Sequence, residues 1–139
     1  MDISIEQSPC RSFWTGRFHA MASPCEILLE TRDREGAHQI VQQLAAETWR
    51  IEEKFSRYRQ NNLIDRINHS HGQPIQVDEE TSLLLNYAAQ CFQLSDGLFD
   101  ITAGVLRHIW SFQPGAIPPD EKMVQACLRH IGWSRVGWE

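Results

Sequence analysis

Apolar residues recur along the chain at two different spacings, and the change between them separates extended segments from helices. Residues 13–21 and 25–31 read as two extended segments joined by Ala22-Ser23-Pro24. In the second of these, Cys25, Ile27 and Leu29 alternate with Glu26, Leu28 and Glu30, a partial period of two. Pro24 has no backbone donor, which predicts a break or turn between the segments. From Gly36 the spacing lengthens: Ala37, Val41, Leu44, Thr48, Ile51, Phe55 and Tyr58 recur at steps of four and three. That pattern lines one face of a helix of about six turns. The opposite face carries Gln42, Gln43, Glu47, Arg50, Glu53 and Lys54, whose charges keep it soluble while packing holds the helix.

After Tyr58 the run Arg59-Gln60-Asn61-Asn62 breaks the pattern, Leu63, Ile64 and Ile67 form a short helical turn, and residues 69–74 read as loop. Ile75 and Val77 make a brief extended piece. Asp78 caps a second long helix whose buried face is Leu84, Tyr87, Ala88, Cys91 and Leu94. A third helix covers residues 102–110. Pro119 starts a fourth, with Val124, Cys127, Leu128 and Ile131 on one face and Gly132 as its stop. Residues 133–138 alternate as the start of a strand. Helices and strands are mixed without a βαβ rhythm, which predicts an α+β fold of helices and antiparallel strands. Residues 13–139 are expected to form one domain, after a loosely ordered segment over residues 1–12.

Composition narrows the partners. The 139 residues carry 42% hydrophobic and 22% charged side chains, an ordinary globular balance. The net charge is -5 and the basic residues are scattered, which argues against nucleic acid as a partner. No apolar run approaches the roughly 20 residues of a membrane span. The N-terminus carries acids where a secretion signal has a basic start and an apolar centre, so Cys10 does not follow such a signal. The four cysteines form no CxxC pair; reduced thiols and a cytoplasmic location are expected.

One stretch concentrates candidate chemistry: Ser95-Asp96-Gly97-Leu98-Phe99-Asp100-Ile101-Thr102, between two predicted helices. Gly97 is expected to end the first helix in the left-handed conformation, and Thr102 to cap the second. The amides near Leu98 and Phe99 and the Asp100 carboxylate are then expected to meet a ligand. Read without further context, Tyr58 and Phe99 fit either an aromatic platform or the core, and Met21 fits a core gap. Asp100 fits a turn acid as well as a ligand contact. The pair His69 and His71 lies in a polar loop with no third ligand nearby, and Asp78, Glu79 and Glu80 read as a helix start rather than a metal cluster.

Taken in order, these pieces resemble the FAD:protein FMN transferases, the ApbE family. The motifs are Ala20-Met21-Ala22-Ser23-Pro24-Cys25-Glu26-Ile27, Phe55-Ser56-Arg57-Tyr58, Asn62-Leu63-Ile64-Asp65-Arg66-Ile67-Asn68, Ser95 through Thr102, and the segment 106–112 with Trp110. The resemblance runs from about Phe13 to Trp138. It implies a transferase that cleaves the pyrophosphate of FAD with Mg2+ and joins FMN by a phosphoester to a Thr or Ser of a target protein, releasing AMP. Met21, Tyr58, Leu98, Phe99 and Asp100 match the family's FAD-contacting positions. The sequence departs from the family at Ala22-Ser23, where Gly-Thr is commoner, and at Asn62, where serine is commoner. The resemblance also implies that the metal ligands and catalytic residues belong to a second half of such enzymes, so no catalytic or metal-binding residue is expected here. The expected role is that of an N-terminal half, weak or inactive alone. The alternatives are a flavin-binding module without catalysis and an interaction domain.

Overall fold

The structure, a computed structural model, describes residues 2–8, 13–111 and 113–138. Cys10 and the last position of the 106–112 segment lie outside the described residues. The fold is α+β, and the chain expected to be one domain over 13–139 divides into two compact units, Met1–Gln76 and Val77–Glu139.

In the first unit three strands, β1 (Ser4–Gln7), β2 (Phe13–Ala20) and β3 (Ser23–Glu30), form an antiparallel sheet in the order β1-β2-β3. The N-terminal segment expected to be loosely ordered thus contributes a strand. The backbone of β2 gives it a partner, with Ser4 opposite Arg17 and Gln7 opposite Trp14. Along β2 the residues Trp14, Phe18 and Ala20 are buried on alternate positions with Gly16 between them, the period of a sheet face that meets a core. Pro24 does not break the chain. It sits inside β3 opposite His19, and an edge strand tolerates the missing donor.

The turn between β2 and β3 is only Met21-Ala22, and both residues have positive φ, 52° and 58°. Two-residue hairpins prefer this geometry because it matches the twist of the strands, but side chains other than those of Gly and Asn pay for it in strain. Replacing Ala22 with glycine is therefore expected to stabilise the first unit by about 0.5–1 kcal/mol, the relief of strain outweighing the added freedom of the unfolded chain. A lower denaturation midpoint for Ala22→Gly in urea would contradict this.

The long helix α1 (Arg34–Phe55) packs on the sheet with Ala37, Val41 and Ala45 fully buried. Phe18, Ala20 and Ala45 form a core cluster against which Ile3, Cys25, Ile27 and Trp49 pack. The Trp49 indole meets Phe18 edge-on at 5.8 Å and donates to the His19 carbonyl at 2.8 Å. The buried stripe is thus 37, 41 and 45 with Trp49, rather than one through Leu44, which is exposed. The small alanines face the sheet because helix and strand approach too closely for leucine. The helix ends at Phe55, so Tyr58 lies beyond it. The short helix α2 (Leu63–Asn68) follows as expected.

The second unit holds α3 (Glu79–Leu94), a 3-10 helix over Ile101–His108, α4 (Glu121–Leu128) and a 3-10 turn at Trp133–Arg135. Asp78 caps α3 as expected, its carboxylate accepting from the Thr81 amide and hydroxyl at 3.0 and 2.6 Å. Thr81 and Ala88 are the buried residues of α3. Leu84, Tyr87 and Leu94, expected on its buried face, are exposed, and the shorter elements of this unit likewise bury none of their own residues. Residues 133–138 do not start a strand. The Arg135 guanidinium turns back to donate to the carbonyls of Arg129, at 2.6 Å, and Ile131, closing the end of α4 instead.

Candidate functional site

The stretch from Ser95 to Thr102 is a turn held by its own hydrogen bonds. Where α3 ends, the Gly97 amide donates to the Phe92 carbonyl at 2.8 Å and the Asp96 amide to that of Gln93 at 3.2 Å. This is the crossed pair of bonds of a Schellman motif. The left-handed closing residue is Asp96, with φ of 51°, followed by Gly97 at 82°. Gly97 takes the left-handed conformation as expected, but Asp96 enters it first. An aspartate tolerates that conformation better than most residues.

The amides of Leu98 and Phe99 are not available to a ligand as expected. The Leu98 amide donates to the Ser95 carbonyl at 3.1 Å, and the Phe99 amide to Ser95 Oγ at 2.9 Å. Their side chains are what the turn offers: Leu98 is 92% exposed and Phe99 47%. Phe99 is thus not sealed in the core.

Asp100, rather than Thr102, caps the 3-10 helix. Its Oδ1 accepts from the Thr102 amide at 2.8 Å and from the Thr102 hydroxyl at 2.6 Å, and its Oδ2 accepts from the Trp133 amide at 2.9 Å. Thr102 Oγ1 in turn accepts from the Gly132 amide at 2.8 Å. Burial acts to raise the Asp100 pKa, but the donors from Thr102 and Trp133 and the charge of Arg135 outweigh it and hold the carboxyl below its ordinary 3.8. A carboxylate has about four lone-pair sites, so one remains after these three bonds.

Met21 and Tyr58 belong to the first unit. Met21 is 53% exposed at the tip of the strained hairpin. Tyr58 is 73% exposed, its hydroxyl accepting from Arg57 at 2.8 Å and its ring lying 5.0 Å from the Arg57 guanidinium. The loop carrying it is fastened by Asn62, the last residue of the polar run that ends the helix pattern. Asn62 Oδ1 accepts from the Asp65 amide at 2.8 Å, capping α2. Its side-chain nitrogen donates to the carbonyls of Ser56 and Glu53 at 2.6 and 3.1 Å. A serine there would keep the cap and lose both donors. The signal available in the sequence was an asparagine directly before an apolar turn.

The three residues of the turn stand together in the second unit, with Thr102, Gly132 and Trp133 around Asp100. A cleft of about 550 Å³ in the first unit, at the end of α1, is lined by Arg50, Lys54, Arg59 and Asn62 among others, and by none of the five expected contacts. Among the described residues no three His, Cys, Asp or Glu side chains stand together in a way that holds a metal ion. No described helix is long and apolar enough to cross a membrane.

The model of the ApbE family matches residues 21–139. The FAD:protein FMN transferase of Vibrio cholerae is 30% identical over 78 residues, covering 52% of this chain and 23% of that protein. The crystal structure of the ApbE protein from Thermotoga maritima superposes with a TM-score of 0.77 at 25% identity, covering 91% of this chain and 42% of that one. The chain therefore spans less than half the length of either relative.

Proposed function

The chain belongs to the ApbE family, and on that premise we propose that it takes FAD as its ligand through Leu98, Phe99 and Asp100 of the turn, with Met21 and Tyr58 as further contacts. The observation that carries this reading is an exposed aliphatic and aromatic pair on a backbone already fixed by hydrogen bonds, inside the region matched by the family. A flat ring system gains from an aromatic face that does not need to be ordered first. In the complete reaction proposed for such a transferase, the hydroxyl oxygen of a Thr or Ser on a target protein attacks the phosphorus on the FMN side of the pyrophosphate. The phosphoester forms as the bond to AMP breaks, AMP leaves, and the hydroxyl proton passes to solvent.

The described residues do not fit a resident Mg2+, since they bring no cluster of carboxylates together and a hard cation needs several oxygen ligands. A second, narrower reading of this chain is the binding of FAD without turnover. The residues proposed here bind and orient the flavin and move no proton. We propose a cytoplasmic location, on the spacing of the four cysteines along the sequence.

Titration of the chain with FAD, followed by flavin fluorescence, tests the reading. Phe99→Ala is expected to weaken binding about tenfold, the loss of one stacking surface. A dissociation constant weaker than about 1 mM for the unaltered chain leaves no flavin site. Equal affinities for the unaltered chain and Phe99→Ala put the site elsewhere.

A further inference from the structure

We propose that Thr102 is a positioning residue of the flavin turn, its hydroxyl latching Asp100 to the segment Gly132-Trp133 that follows α4 and thereby holding Leu98 and Phe99 in place. The link rests on geometry. The Gly132 amide can only donate, so Thr102 Oγ1 accepts from it at 2.8 Å. A hydroxyl has a single hydrogen, and this one is then directed to Asp100 Oδ1 at 2.6 Å, which as a carboxylate oxygen can only accept. The Trp133 amide closes the second connection on Asp100 Oδ2 at 2.9 Å. Two turns thirty residues apart in sequence are joined through one threonine and one aspartate.

Leu98 and Phe99 lie between two fixed points. Ser95 Oγ holds the Phe99 amide on one side, and Asp100 is latched on the other. A side chain exposed on such a backbone is preorganised, and loosening one anchor costs affinity without removing any atom that touches the ligand. Neither Gly132 nor Trp133 need contact the flavin for its affinity to depend on them. Of the titratable groups, Arg135 acts on Asp100 through its charge. Protonation of Asp100 replaces an acceptor with a hydroxyl, so the latch is intact above the carboxyl's titration and opens below it.

The proposal deepens the flavin reading of this turn and depends on it for the ligand, so the test follows the latch both with and without FAD. Thr102→Val and Thr102→Ser are made in the whole chain. The Asp100 carboxyl is titrated by carbon NMR, and the Gly132 amide is followed by hydrogen exchange. Thr102→Val is expected to raise the Asp100 midpoint by about one pH unit, to speed Gly132 exchange about tenfold and to weaken FAD binding about five- to tenfold. Thr102→Ser, which keeps the hydroxyl, is expected to restore all three. Should Thr102→Val not fold, Asp100→Asn serves: it is expected to leave Trp133 amide protection independent of pH in the acid range where the unaltered chain loses it. An unchanged Asp100 midpoint with unchanged Gly132 exchange in Thr102→Val overturns the latch, as does FAD affinity lowered equally in the valine and serine variants. Trp133 protection that still falls with acid in Asp100→Asn overturns it too. If both latch signals move but the unaltered chain binds no FAD, the flavin reading falls and the latch is supported.

Discussion

Gly16→Ala is expected to destabilise the first unit by about 2–3 kcal/mol, the cost of overpacking a site whose neighbour cannot move. A Cβ built on Gly16 would lie 2.5 Å from both γ-carbons of Val41, far inside contact distance. Val41 is fully buried on α1, and a β-branched side chain in a helix has essentially one rotamer open to it. The helix must therefore lift from β2 or the strand must bend. Either response loosens the packing of Trp14 and Phe18 on both sides of Gly16. The partner change makes the mechanism testable. Val41→Ala alone leaves a cavity and is expected to cost about 2 kcal/mol. In the double variant the new methyl enters the space that valine vacates, so the two effects are expected to sum to at least about 1 kcal/mol less than their separate costs. Urea denaturation of the four proteins with a common slope measures this. Strict additivity would show that Gly16 is needed for some other reason than its approach to Val41.

Asp100→Ala carries the second large effect. The change deletes the acceptor for the Thr102 amide and hydroxyl and for the Trp133 amide. Loss of a helix cap and of a charge-assisted bond is expected to cost the second unit about 2–3 kcal/mol. The dependence on acid follows from the direction of the pKa. The folded carboxyl titrates below the unfolded value of 3.8, so its contribution is complete above that value and is lost as pH falls through the lower, folded one. The gap in stability between the unaltered chain and Asp100→Ala is thus expected to be constant near neutrality and to shrink in acid below about pH 4. A gap that stays the same down to the acid limit would mean that the ionised form contributes nothing. The same variant is expected to weaken FAD binding, because the anchor of Leu98 and Phe99 goes with it. That result fits either role of Asp100, ligand contact or anchor, and the changes at Thr102 separate them.

The local elements were legible wherever a pattern and a terminator occurred together. Asp78 before an apolar period marked the start of α3, and Leu63, Ile64 and Ile67 marked α2. The steps of three and four from Ala37 marked α1. The ordered motifs pointed to the ApbE family and to the α+β class. Less legible was which apolar residue of a stripe faces the core. Leu44 and Ala45 both fit the helix period, and the closeness of β2 selects alanine. Residues 1–12 read as loosely ordered because a four-residue edge strand with two acids nearby carries almost no apolar signal. Its order comes from backbone bonds to a strand that the local sequence does not contain.

By itself the sequence determined α1 to α4, the presence of two extended segments before them and the family, because each rests on side chains a few positions apart or on motifs in a given order. Only the tertiary structure decided which groups of the turn at Ser95 are already bonded and which are exposed. Its Leu98 and Phe99 amides are taken by Ser95, and its carboxylate by Thr102 and by the Trp133 amide arriving from beyond α4. Hydrogen bonds are short-ranged and directional, so a partner thirty residues away shows itself only when the folded backbone brings its N–H within 3 Å.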